Sequence, residues 1–241
     1  MPNWVYNTLT ISNEHRSKII NDKNEVDFNI AVPMPESLNC DSGSMNAPAI
    51  YAYLSRTNTI DLYDMKKDEF AKKILKNKYR PDSAEEEIES AYNIYRKMIE
   101  GRPEQNDILY KEGQVLVENF RSYGYTTWYD WCCDKWGCKW NAGDITVDDV
   151  DKENKLKVRF HTPWSHPTGW LKALCDAGVP FYLEWIEEQG YHGEVISDGK
   201  TITENKLDFI DDAYDVYPEG EPATKTAPSV SKVKITRKKE K

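Results

Sequence analysis

Residues 128–141 read WYDWCCDKWGCKWN and place four tryptophans and one tyrosine within 13 positions. On a helix, Trp128, Cys132 and Trp136 share one face because they follow at four-residue intervals. Gly137 is suited to end that helix, after which the chain is expected to extend. One interpretation of the segment is a helix end that locks onto a sheet. The other is an exposed aromatic surface for a base, a sugar or a partner protein, and the sequence leaves both open.

The N-terminal part alternates apolar and polar side chains twice, which is the period of a half-buried strand. The first run covers residues 5–11, and the second covers residues 26–32, where a Pro-Met-Pro sequence stops it. Between the two runs, a serine and an asparagine can begin a short helix over residues 12–21. The sequence therefore predicts a strand, a helix and a strand.

The middle of the chain predicts a helical insertion. Residues 36–60 are rich in Gly, Ser, Asn and Pro and predict an irregular connection with one short helix at residues 49–56. From residue 64 to residue 100, apolar residues recur every three or four positions, and a Pro-Asp-Ser sequence separates two amphipathic helices. A further helix is predicted over residues 104–123, although Gly113 weakens its middle.

The C-terminal part predicts a strand, a helix and two more strands. The strands are expected at residues 156–162, 181–186 and 191–196, and the helix at residues 167–177. Gly178 is placed to end the helix, and a turn over residues 197–200 leads on to Ile202.

These elements predict an α+β protein with a ferredoxin-like split βαβ antiparallel sheet, helices on one face and a helical insertion. "Ferredoxin-like" describes the topology and implies no iron–sulfur cluster. The predicted units are a ferredoxin-like domain at residues 1–35 and 122–203, the insertion at 36–121, an acidic segment at 204–217 and a disordered basic tail at 218–241.

Three stretches of the sequence share a pattern with a known family. They are the opening MPNW with Asn7 and Leu9, the block from Tyr129 to Asn141 with its WGxKWN sequence, and FxTxWSxP at residues 160–167. The Pro-Met-Pro stop at residues 33–35 and the later YxG fit the same pattern. The chain resembles the YubB-like proteins of phages, plasmids and integrated elements. The resemblance implies a ferredoxin-like domain of unassigned function and a mobile-element setting, whereas residues 36–125 match only loosely.

The charge is distributed unevenly along the chain. Residues 225–241 contain seven basic residues and one acidic residue, which gives them a net charge of +6. Because the whole chain has a net charge of −9, residues 1–224 carry −15. Such an acidic body repels nucleic acid over roughly 8–10 Å unless a local basic groove overrides it. It either binds a basic partner surface or keeps the protein in solution.

Composition also gives expectations about location. No window approaches the roughly 18 consecutive apolar residues of a membrane helix, and the first residues lack the layout of a signal peptide. The five cysteines are odd in number and include an adjacent pair, which is not typical of a disulfide framework. We therefore expect a cytoplasmic protein without a membrane partner.

Few residues are arranged for chemistry. Cys133 and Cys138 with His161 and His166 suggest zinc ligands, but 22 residues separate the two pairs where a compact zinc finger has about 12. No nucleophile elbow or phosphate-binding glycine loop occurs, so we expect no enzymatic activity, no cofactor and no metal. If an enzyme were present, Asp130 and the two histidines would be the first residues to test.

The expected function is that of a non-enzymatic accessory protein of a mobile element, which binds a host protein with a basic surface and inhibits a nucleic-acid-directed defence system. The alternative is a module that stacks single-stranded nucleic acid or a nucleotide on its tryptophans, with lysines on the phosphates. The predicted partner or ligand contacts are Trp128, Tyr129, Trp131, Lys135, Trp136, Lys139, Trp140 and Trp164. The predicted acidic partner surface is Asp208, Asp211, Asp212 and Asp215, although such clusters, like Glu85-Glu86-Glu87, are also typical of solvated faces.

Overall fold

The computed structural model describes residues 3–77, 80–207 and 209. Six strands form one antiparallel sheet in the order β2-β3-β1-β4-β5-β6. The strands are β1 (Trp4–Ser12), β2 (Gly143–Val147), β3 (Lys155–Pro163), β4 (Pro180–Glu187), β5 (His192–Asp198) and β6 (Ile202–Lys206). The α-helices are α1 (Asn46–Asn58), α2 (Leu62–Met65), α3 (Glu69–Leu75), α4 (Ala84–Gly101), α5 (Gln105–Tyr123), α6 (Trp128–Lys135) and α7 (Thr168–Asp176).

The centre of the sheet is a split βαβ unit. β3 and β4 both pair antiparallel with β1, so they run parallel to each other with β1 between them. α7 makes the connection from β3 to β4. This arrangement confirms the predicted ferredoxin-like α+β class and the predicted order of strand, helix, strand and strand in the C-terminal part.

The two faces of the sheet differ because successive side chains of a strand point to opposite sides. On β1, Val5, Leu9 and Ile11 are buried in a core that also contains residues of α6 and α7. The opposite face of β1 carries Thr8 and Thr10, which are only half-buried. The sheet therefore has one face packed by helices and one more open face, where polar side chains such as Thr8 and Thr10 stand beside buried Tyr6 and Ile186.

The insertion has a hydrophobic cluster of its own, built from α1 to α5. Its helices α1 and α5 lie in close contact at Gly113, where an added Cβ would lie 1.9 Å from the main-chain oxygen of Ala49. Buried Asn119 of α5 donates hydrogen bonds to the main-chain oxygens of Ser37, at the start of the insertion, and Thr126, just after its end. The domain boundaries given above stay a prediction.

The predicted strand at residues 26–32 is wrong. The chain forms a short 3₁₀ helix, Phe28–Ile30, because the Asp27 side chain accepts a hydrogen bond from the main-chain N–H of Asn29. Asn141 accepts a second bond from the N–H of Phe28 and donates to Asp27. These bonds replace a strand ladder and turn Phe28 into the core. The helix expected at residues 12–21 is likewise a 3₁₀ helix, Asn13–Lys18.

Other boundaries differ from the predicted ones. β2 was not predicted. β6 starts at Ile202 and runs into residues 204–217, which were predicted to be a separate acidic segment. The predicted helices around residues 64–100 are α3 and α4, preceded by the short α2. The tail at residues 218–241 lies outside the described residues.

Replacing Gly113→Ala is expected to lower the free energy of unfolding by about 1–3 kcal/mol in a urea titration, because the new methyl group collides with main-chain atoms of α1. Gly101→Ala is the matched control, since nothing lies within 4 Å of its added Cβ. That variant should be neutral or gain up to about 1 kcal/mol from helix propensity. Equal stability of the two variants would contradict the close contact.

Candidate functional site

The helix in the tryptophan-rich segment ends as its sequence predicts. α6 stops at Lys135, and Gly137 adopts the left-handed conformation with φ +83°. The main-chain oxygen of Trp136 then accepts hydrogen bonds from the N–H groups of Gly169 and Trp170, at 3.1 and 3.2 Å. A Cβ on Gly169 would lie 2.3 Å from the oxygen of Lys135, so the contact requires glycine there. The end of α6 is thus fixed to the start of α7.

The side chains of Trp131 and Trp136 belong to this contact and not to the surface. Both are buried, and their rings meet edge to face with centroids 5.5 Å apart. The indole N–H of Trp136 donates to the main-chain oxygen of Val32 at 2.9 Å. The prediction that these two tryptophans contact a ligand is wrong, because the core already covers their rings.

A second group of aromatic residues lies at the surface around one lysine, and we call it the aromatic patch: Trp4, Tyr129, Lys139, Trp140 and Trp164. The ammonium of Lys139 lies 4.5 Å from the ring centroid of Trp140, 4.9 Å from that of Trp164 and 5.7 Å from that of Tyr129. Trp4 joins the patch through Trp140, with ring centroids 6.1 Å apart. Trp140 and Trp164 are 39% and 45% exposed.

Trp164 is held in an unfavourable backbone conformation. Its φ is +72°, in the left-handed region that favours glycine, and its N–H donates to the main-chain oxygen of Asn3 at 2.8 Å. Strain of this kind costs about 1–3 kcal/mol and concentrates at functional sites. The ring is 45% exposed and is not part of the core, so core packing does not explain why a large side chain stands there.

Carboxylates lie near the Trp4 end of the patch. His161, whose ring centroid is 6.4 Å from that of Trp4, pairs with the exposed carboxylate of Asp144 at 3.1 Å. Burial lowers the pKa of His161, and the charges of Asp144 and Glu188 oppose that effect. The N–H of Glu188 also donates to the main-chain oxygen of Trp4. Among the described residues, the ammonium of Lys139 thus lies inside the patch, and the carboxylates of Asp144 and Glu188 lie beside it.

Of the other predicted contacts, Lys135 has partners outside the patch and Trp128 lies at its edge. Lys135 pairs with Asp134 at 3.0 Å and lies 5.5 Å from the ring of Tyr125. Trp128 is half-buried against the core and touches Tyr129 edge to face. Trp4 was missed as a contact residue, and its only signal was its place in the MPNW motif.

The acidic clusters have different outcomes. Asp208, Asp211, Asp212 and Asp215 lie outside the described residues. In the other cluster, Glu85 lies 4.0 Å from Lys72, and Glu86 pairs with Arg80 at 2.9 Å. Glu87 accepts from Asn77. The second cluster therefore bonds within the insertion.

In the part of the chain that the structure describes, no group of three or more His, Cys, Asp and Glu residues is placed to hold a metal ion. Burial raises the pKa of Cys132 to about 12 and raises that of Cys138 as well, which keeps both thiols neutral. Within the same residues, the helices are too short or too polar to cross a bilayer.

The fold defines an α+β protein with a ferredoxin-like sheet, and a comparison with protein families agrees. Residues 135–224 match a family described as the ferredoxin-like domain in Api92-like protein. Over these residues the chain is similar to that family, while the link to YubB-like proteins and phages stays a prediction.

Among solved structures, the crystal structure of protein Api92 from Yersinia pseudotuberculosis is similar at a TM-score of 0.40 and 12% identity. The similarity covers 86% of this chain and 99% of that chain. A search of curated proteins gave no match.

Acid should destabilise the protein partly through His166, which is buried and stacked on Trp185. Burial lowers the pKa of His166, the carboxylate of Glu204 at 3.8 Å opposes that effect, and Lys206 adds to it. Because the unfolded pKa is about 6.5 and the folded pKa is lower, the unfolded state binds the proton more readily. The contribution of neutral His166 to the free energy of unfolding is therefore fully present above pH ~6.5 and is lost as the pH falls below that value.

His166→Phe keeps an aromatic ring on Trp185 and removes the titrating group. The urea-derived free energy of unfolding of this variant should fall less steeply between about pH 7 and pH 5 than that of the wild type. Parallel pH profiles of the two proteins would show that His166 contributes nothing to the acid sensitivity.

Proposed function

We propose that this chain is a cytoplasmic, non-enzymatic binding protein that docks a partner protein through the aromatic patch. The observation that carries the proposal is the exposed ring of Trp164. Its backbone has a left-handed conformation that glycine would adopt without strain. Tryptophan and tyrosine dominate the residues whose truncation weakens protein interfaces, because they bury large areas with few rotatable bonds.

Charge favours a protein over nucleic acid as the partner. A phosphate chain on the patch would meet one ammonium, that of Lys139, and the nearby carboxylates of Asp144 and Glu188. Residues 1–224 carry −15, which adds long-range repulsion. A protein with an apolar pocket and a basic rim is complementary to both features.

The setting that we propose follows from the resemblance to YubB-like proteins. A mobile element gains from a small protein that binds a host protein, and the basic groove of a nucleic-acid-directed defence protein matches the acidic body of this chain. The partner in this proposal is such a host protein, and docking inhibits it by occupying the groove.

A second candidate function is the stacking of single-stranded nucleic acid or a nucleotide. The position of Lys139 over three rings favours it, because single-strand binders combine aromatic stacking with cations that follow the phosphates. This candidate requires an affinity that falls with added salt.

The decisive variant is Trp164→Gly, which removes the ring and relaxes the backbone. We expect its free energy of unfolding to stay within about 1 kcal/mol of the wild type, since relief of strain offsets lost packing and greater chain entropy. In pulldowns from host lysate, followed by titration with the purified partner, its affinity should fall at least about tenfold.

Tyr63→Ala is the matched control, because Tyr63 is 66% exposed on α2 in the insertion, away from the patch. It should leave the affinity unchanged. An equal loss of affinity in both variants, or no loss of affinity in Trp164→Gly, would contradict the proposal. Salt-sensitive quenching of tryptophan fluorescence by oligothymidylate, lost in Trp164→Gly, would favour the second candidate.

A further inference from the structure

The insertion contains a cavity of about 400 Å³ where the start of α1 faces the end of α4 and the middle of α5. This volume lies within the range of small-molecule sites, which often form between helices. Its apolar walls come from Met45, Ala49, Met98, Leu109, Val115 and Leu116.

The fold builds the frame of this cavity independently of any ligand. The contact between Gly113 and the backbone of Ala49 fixes the distance between α1 and α5 beside it. Asn119 bonds to Thr126 and contacts the sulfur of Cys40, which lines the cavity. The two methionines can adjust to the shape of an occupant, because their side chains are unbranched and flexible.

The polar groups around the cavity are acidic or neutral. Asp41 and Glu112 line it, and neither carboxylate is paired with a cationic side chain among the described residues. The amide of Asn46 is already occupied by the N–H of Gly43 and the oxygen of Asp41. Neither lysine, arginine nor histidine belongs to the described lining.

We propose that this cavity binds a small organic cation that carries an apolar chain. The chain would lie against the methionines and leucines, and the positive group would face Asp41 and Glu112. Binding is non-covalent, since the thiol of Cys40 is partly buried beside Asp41 and stays neutral. The proposal is independent of the aromatic patch, which lies on the sheet domain.

The test uses the full chain with ¹³C-labelled methionine methyl groups and hexyltrimethylammonium as the probe. The methyl resonances of Met45 and Met98 should shift with a saturable dependence on concentration, whereas those of Met34 and Met65 should not. Hexanol should bind roughly two- to fivefold more weakly, which is the loss expected for one solvent-exposed charge interaction, and hexanoate more weakly still.

Variants on α5 keep the test specific. Val115→Lys places a cation in the cavity and should weaken hexyltrimethylammonium binding roughly tenfold. Ile108→Lys is the matched control outside the cavity, since Val115 and Ile108 are 43% and 46% exposed. Unchanged resonances of Met45 and Met98, equal affinity for hexanoate, or equal losses in both variants would overturn the proposal.

Discussion

The main-chain oxygen of Trp136 is the point on which the ferredoxin-like part of this protein depends. A helix end leaves carbonyl groups without partners, and a helix start leaves N–H groups without partners. Here the end of α6 and the start of α7 satisfy each other through Trp136, Gly169 and Trp170. Two glycines permit the approach, because a side chain at residue 137 or 169 would collide with the opposite helix. The contact therefore fixes α6 against α7 on one face of the sheet.

The same contact sets the position of the aromatic patch. After Gly137 the chain buries Cys138 and returns to the surface at Lys139 and Trp140. On the other side, the hydroxyl of Ser165 donates to the oxygen of Gly137 at 2.5 Å, next to Trp164. Both exposed tryptophans are thus attached to loops that the core holds. A rigid support of this kind lowers the entropy that a surface loses on binding.

Much of the fold follows from local patterns in the sequence. Strict alternation in residues 5–11 and 156–162 identified the two strands that meet in the centre of the sheet. The same alternation failed at residues 26–32, because Asn141, more than a hundred residues away, supplies the hydrogen bonds that hold Phe28. The sequence did not predict β6, because its side chains are all exposed and apolar residues do not alternate with polar ones.

The candidate site was harder to predict, because it too depends on contacts between residues that are distant in the sequence. Spacing placed the tryptophans on a helix that ends at Gly137, but it could not show which rings the core would cover. Trp131 and Trp136 are buried by residues distant in the sequence, and the strained backbone of Trp164 has no sequence signature. Gly113 appeared to be a weak point of a helix, whereas the structure uses it for a close contact between two helices.

Hydrogen exchange followed by NMR most directly tests whether the tryptophan-rich segment has two parts. One part is the buried contact between α6 and α7, and the other is the aromatic patch at the surface. The amide protons of Gly169 and Trp170 and the indole proton of Trp136 should exchange only through global unfolding. The indole protons of Trp140 and Trp164 should exchange at once. Fast exchange at Gly169 and Trp170, or protection of the two surface indoles, would contradict this account.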